Sequence, residues 1–110
     1  MSEPVLLVLC TCPDNETADK LARQLVNDRL AACVNISAPS RSVYRWQKKI
    51  EQAEEILLSI KTTAGNYKKL EQMIRQLHPY QVPEIIALPV QQGLPEYLTW
   101  VEEECDSSDR

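Results

Sequence analysis

The stretch Val5-Leu6-Leu7-Val8-Leu9-Cys10-Thr11-Cys12-Pro13-Asp14-Asn15 changes chemistry in its last three residues, and its neighbours take their places from that change. The first eight residues are β-branched or aliphatic at nearly every position. Successive strand side chains point to opposite faces, so this is the pattern of a strand covered on both sides. Pro13-Asp14-Asn15 then supplies turn and N-cap chemistry. Beyond it, Ala18, Leu21, Ala22, Leu25 and Val26 recur at i, i+3, i+4, i+7 and i+8, the single apolar stripe of a helix that runs to about Leu30.

Residues 32–36 form a second short apolar strand. After Ser37-Ala38-Pro39-Ser40, the stretch Ser42-Val43-Tyr44-Arg45-Trp46-Gln47 resumes with period two, which predicts one long, bent strand. Lys48-Lys49 is polar and short enough for a hairpin, and residues 56–62 return as its second arm, preceded by polar residues 51–55. A second helix spans about residues 64–77, with Tyr67, Leu70, Met73, Ile74 and Leu77 on one side and Pro79 closing it. Residues 82–90 supply a fourth strand, which Pro83 and Pro89 confine to an edge or to partial pairing because neither donates to a ladder. Gly93-Leu94-Pro95 opens a third helix that carries Leu94, Tyr97, Leu98 and Val101 inward.

The element order is that of an α+β, ferredoxin-like βαββαβ sandwich with an added C-terminal helix and a long hairpin between its second and third strands. Two helices cover one sheet face, and a third helix covers only part of the other. Association of the remaining apolar face with further copies of the chain is the expected outcome.

At 110 residues the chain is one domain, residues 1–110, with a single core. A membrane span needs roughly 20 consecutive apolar residues and the longest runs are far shorter. No secretory signal pattern precedes the first strand, so the expected compartment is the cytoplasm. The net charge of -4 comes from Glu102, Glu103, Glu104, Asp106 and Asp109 set against Arg110, and residues 102–110 read as an acidic, frayed tail. The rest of the chain is charge-balanced and offers no basic face for nucleic acid.

Candidate chemistry is sparse. Four cysteines lack CxxC spacing and a secretory context, which argues against a disulfide framework. Cys10 and Cys12, at i and i+2 of a strand, share a face and either present two soft sulfur ligands or serve as small buried hydrophobes. His78 is the only histidine and ends the second helix as a cap or as a ligand. Glu84 and Lys61 are charges on otherwise apolar strands, an ion pair or two walls of a pocket. Tyr44 and Trp46 share a strand face, suited to a planar ligand or to a subunit contact. There is no glycine-rich phosphate loop, GxSxG elbow or HExxH pair, so an enzyme is not expected.

Leu9-Cys10-Thr11-Cys12-Pro13, Leu30-Ala31-Ala32-Cys33-Val34-Asn35, Tyr44-Arg45-Trp46, Ile60-Lys61-Thr62-Thr63 and His78-Pro79-Tyr80-Gln81-Val82-Pro83-Glu84-Ile85 together resemble the CutA divalent-cation tolerance family. The resemblance implies a cytoplasmic homotrimer in which the long hairpin reaches neighbouring subunits, with a role in tolerance of copper and other divalent metal ions. It places copper ligation on Cys10 and His78. The family's second histidine before the Pro-Tyr step is Leu77 here, leaving Glu84, Cys12 or water to complete a site. The alternative is a regulator resembling the PII signalling proteins, which binds a small molecule or protein at intersubunit clefts lined by Trp46, Lys61 and Tyr80. An acylphosphatase reading lacks that family's glycine-rich loop, and an RNA-recognition reading lacks the aromatic motif in a chain without Phe.

Overall fold

The computed structural model describes residues 3–106. Four strands, β1 (Val5–Cys12), β2 (Cys33–Trp46), β3 (Lys49–Thr63) and β4 (Ile85–Pro89), form one sheet in the order β2-β3-β1-β4, with every neighbouring pair antiparallel. Three helices, α1 (Asn15–Asn27), α2 (Tyr67–Leu77) and α3 (Pro95–Glu104), complete the fold expected from the order of elements. The β1 strand is central, paired along its full length with β3 from Val5 opposite Thr63 to Cys12 opposite Ile56.

The turn after β1 works as its residue types dictate. Asp14 adopts an extended backbone and its carboxylate accepts a 2.8 Å hydrogen bond from the Thr17 amide, satisfying one of the orphan donors of α1. The stripe of α1 then packs Leu21 and Leu25 onto Val8, Leu58 and Ile60 of the sheet, with Leu70 and Ile74 of α2 beside them. Each such Leu or Ile contributes about 1.5–3 kcal/mol by burial, which fixes the two helices on that face. On the other face α3 seals a small second cluster of Val5, Ala32, Val101 and Cys105.

The bend foreseen in the second strand is a bulge between Ile36 and Pro39, where three residue steps of β2 oppose two of β3. Local side chains repair the ladder there: the Leu57 amide donates to Ser37 Oγ at 2.9 Å, and Ser40 Oγ donates to the Glu55 carbonyl at 3.2 Å. Beyond the bulge the arm leaves the helices behind. The molecule measures 47 × 28 × 23 Å, no residue of β2 is buried, and Val43, Tyr44, Trp46 and Ile50 stay open to solvent.

Four expectations need correction. The hairpin turns on Gln47-Lys48, one residue before the expected Lys48-Lys49, with φ of 51° and 70° at the two positions and Trp46 opposite Lys49. The fourth strand is shorter than residues 82–90, because Pro83 cannot join a ladder and pairing with β1 begins only at Ile85. In α3, Leu94 and Tyr97 do not enter the core: Leu94 is 66% exposed at the extended N-cap, and Tyr97, beside Cys33 and tilted at 34° to the Trp100 ring, stays exposed, while Leu98, Val101 and Cys105 pack into the second cluster. The acidic segment is not frayed where it begins. It is helical through Glu104, Cys105 is buried, and Arg29, itself at φ 58°, aims its guanidinium at the carbonyls of Glu103, Glu104 and Asp106. Residues 107–110 lie outside the described residues.

Candidate functional site

The end of β1 delivers Cys10 and Cys12 to the helix-covered side of the sheet, and the end of α2 delivers His78 to the same point. His78 leaves the helix with extended backbone while its amide still closes the last turn onto the Ile74 carbonyl at 2.8 Å. The ligand atoms of Cys10, Cys12 and His78 all lie within 4.8 Å of one another, and all three residues are buried. Cys33 and Cys105 lie outside this cluster.

Both nitrogens of the imidazole are engaged. Nε2 lies 2.7 Å from the Thr11 carbonyl, which can only accept, so Nε2 carries the hydrogen. Nδ1 is then the bare nitrogen, and it accepts the Tyr80 amide at 3.1 Å. The ring of Tyr80 packs on that of His78 at 4.7 Å between centroids. The His78 ring therefore ties the end of α2 and the following turn to the end of β1, and becomes a metal ligand only by giving up one of these bonds.

The thiols behave as a pair. The hydrogen bond to Cys12, then burial, then the charges of Cys12, Glu84 and Glu55, push the Cys10 thiol well above its ordinary range. The same bond from Cys10 pulls Cys12 down, against the effect of burial. Cys12 is thus the sulfur that ionises first, and Cys10 the one that holds its proton until a cation displaces it. Two sulfurs and an imidazole form a donor set for soft, late transition metals and a poor one for magnesium or calcium.

Next to this cluster, on the hairpin side, is a cavity of about 540 Å³ lined by Thr11, Tyr44, Trp46, Glu55, Tyr80 and Glu84 together with neighbouring residues. Tyr80 donates its hydroxyl to Glu55 Oε2 at 2.8 Å, and burial with this contact pushes the phenol up from its usual range. Glu84 is exposed on the cavity rim and is not among the three clustered ligands. Trp46, Tyr80 and Glu84 meet here as candidate wall residues, but Lys61 does not. It projects from β3 opposite Leu7 and Cys33, contacts Asn35 Oδ1, and reaches the Ser59 carbonyl at 3.5 Å, so it forms no pair with Glu84 within the chain. Glu55, buried at 7% exposure, was not legible as a site residue, because residues 51–55 read as an ordinary polar arm and the tyrosine that covers it comes from 25 positions further on.

Residues 6–104 match the family described as CutA1 divalent ion tolerance protein. The chain is 48% identical over 97 residues to a divalent-cation tolerance protein CutA of Thermus thermophilus, covering 88% of this chain and 94% of that one. Among solved structures, CutA from Xylella fastidiosa superposes with a TM-score of 0.91 at 49% identity, covering 93% of this chain and 98% of the other. A structure from Archaeoglobus fulgidus described as a periplasmic divalent cation tolerance protein CutA superposes at 0.90 with 34% identity, covering 93% and 99%. Fold, motifs and extent agree, and the chain belongs to the CutA1 divalent ion tolerance family.

Proposed function

We propose that this chain acts in metal tolerance by binding copper on the thiolates of Cys10 and Cys12, with His78 beside them, in preference to magnesium or calcium. The observation that carries the reading is the convergence of three buried soft donors within 4.8 Å at one end of the sheet. Of the completing groups left open by the sequence, Cys12 and not Glu84 lies with Cys10 and His78. Leu77, at the position of the second histidine, is therefore offset by a second sulfur. The role is one of binding and needs no catalytic group.

The subunit is proposed to work as a homotrimer in the cytoplasm. A 14-residue strand with no buried residue, whose outer half exposes Val43 and Trp46 beside Ile50 of β3, is poorly suited to solitary existence. A dithiol that must stay reduced to bind copper fits a reducing compartment. No helix of the described residues is long and apolar enough to cross a membrane.

The test is anaerobic titration of metal-free protein with Cu(I) against a competing chelator. Cys10→Ser and Cys12→Ser should each lower affinity at least about tenfold, while Glu84→Gln should leave it within about twofold. Unchanged affinity in both serine variants would overturn the thiol site.

A further inference from the structure

We infer that the cavity beside the sulfur cluster binds a primary ammonium ion carried on an apolar or aromatic body. This goes beyond metal tolerance and does not depend on the copper reading. Its volume of about 540 Å³ lies within the range of small-molecule sites and far exceeds what a single ion fills.

Charge sets the sign of the guest. Among the described residues the lining includes two carboxylates, Glu55 and Glu84, and neither lysine nor arginine. Glu55 is the decisive group, being 93% buried. Its Oε2 accepts the Tyr80 hydroxyl, but among the described residues no hydrogen-bond donor reaches Oε1, and no lysine or arginine pairs with the group. No buried side-chain oxygen is left without a partner among the described residues, so Oε1 is open to the cavity that Glu55 lines, and an N–H cation placed there would meet it with a charge-assisted hydrogen bond.

The walls set the class. Tyr44 and Trp46 alternate along one side of β2, and Tyr80 faces the cavity from the turn after α2, its ring held by the Glu55 contact and by packing on His78. Aromatic faces attract a cation through their quadrupole, indole most strongly, and they pack against the carbon body that carries it. A strongly hydrated divalent ion would use the carboxylates and gain nothing from the rings, and an anion would meet two negative charges.

The experiment uses the full chain as it assembles, with chelator present so that metal plays no part. A Trp100→Phe background leaves Trp46 as the sole tryptophan, and Trp100 is not in the cavity lining. 2-Phenylethylammonium is titrated at neutral pH beside its neutral counterpart 2-phenylethanol, with excitation confined to tryptophan. A saturable change in Trp46 emission with the ammonium, at least tenfold weaker with the alcohol, is expected. Glu55→Gln keeps an acceptor for Tyr80 and should weaken the ammonium at least tenfold without altering the alcohol. Should that variant misfold, Glu84→Gln at the exposed rim carries the same direction with a smaller effect. Cys12→Ser should leave ammonium binding unchanged, which separates this site from the copper site. Equal binding of ammonium and alcohol would overturn the assignment by making the cavity merely apolar. Displacement by calcium at equal concentration would overturn it in favour of a hard-cation site, and the lack of any saturable response would overturn it outright.

Discussion

Replacing His78 by alanine separates a brace from a ligand, because the two roles predict different pairs of outcomes. The imidazole is 7% exposed and supplies two hydrogen bonds, one to the Thr11 carbonyl at 2.7 Å and one from the Tyr80 amide at 3.1 Å. An ordinary intramolecular hydrogen bond is worth about 1 kcal/mol net, and a buried partner left unpaired costs about 1–3 kcal/mol. Tyr80 is half-buried and water reaches part of the gap, so the sum for both bonds is about 2–4 kcal/mol. Urea unfolding of metal-free, reduced protein at fixed concentration measures it, with an unchanged m-value showing that the same surface is exposed. His78→Gln carries a donor near the Nε2 position and should recover about half of the loss, since it restores the Thr11 contact alone. A destabilisation below about 1 kcal/mol in His78→Ala, combined with a loss of Cu(I) affinity, would refute the reasoning. That result describes a ring held free for metal and not one committed to the backbone.

Other consequences are open to measurement. Lys48 sits at φ 70° in the hairpin turn, where glycine is preferred, so Lys48→Gly should raise stability by about 0.5–1 kcal/mol, and a loss of stability would mean that the turn does not adopt this conformation. The Thr17 hydrogen bonds hold Asp14 below the ordinary carboxylate range, so its contribution is present above the unfolded value near 3.8 and is lost as pH falls through the lower folded value. Asp14→Asn keeps the cap without the charge, and its unfolding midpoint should fall less than that of the parent as pH drops through 3.8 and below; parallel curves would dismiss the cap charge. Sedimentation equilibrium should give a mass three times that of the 12.6 kDa chain, with an unfolding midpoint that rises with protein concentration, and a persistent monomer at micromolar concentration would remove the trimer.

The parts of the fold that were legible in the sequence are those in which one residue's chemistry acts locally. Period two in residues 42–47, the stripe of α1 and the prolines of the fourth strand each specify their element from within it, and β4 duly pairs on one side only, at the edge. The hairpin tip was misplaced by one residue because neither Gln47 nor Lys48 is a turn former, and left-handed backbone there is imposed by the register of Trp46 with Lys49. Leu94 and Tyr97 were misjudged for the opposite reason. Helical spacing reports which residues share a side, but how far a helix extends over the sheet depends on where Val5 and Ala32 meet it. The sulfur pair was readable as a shared strand face, whereas the commitment of both His78 nitrogens to backbone groups was not, since Thr11 lies 67 positions away.

Thr11 and Tyr80 explain why the sulfur cluster and the aromatic cavity lie side by side. The Thr11 carbonyl holds the imidazole from between the two cysteines, and the same residue lines the cavity. Tyr80 gives its amide to His78 and its hydroxyl to Glu55, so one residue is hydrogen-bonded at both ends to groups that belong to different sites. Such a residue has little rotamer freedom left to lose when either site is filled, which is the condition for a preorganised wall. The turn that carries it is fixed on one side by Pro79 and on the other by Pro83, two residues whose φ is already set, and β4 begins only after the second of them. The segment from His78 to Glu84 thus reads as a clamp built from backbone restraint and paired polar groups, and this accounts for its distinctive sequence without assigning every residue in it to a ligand.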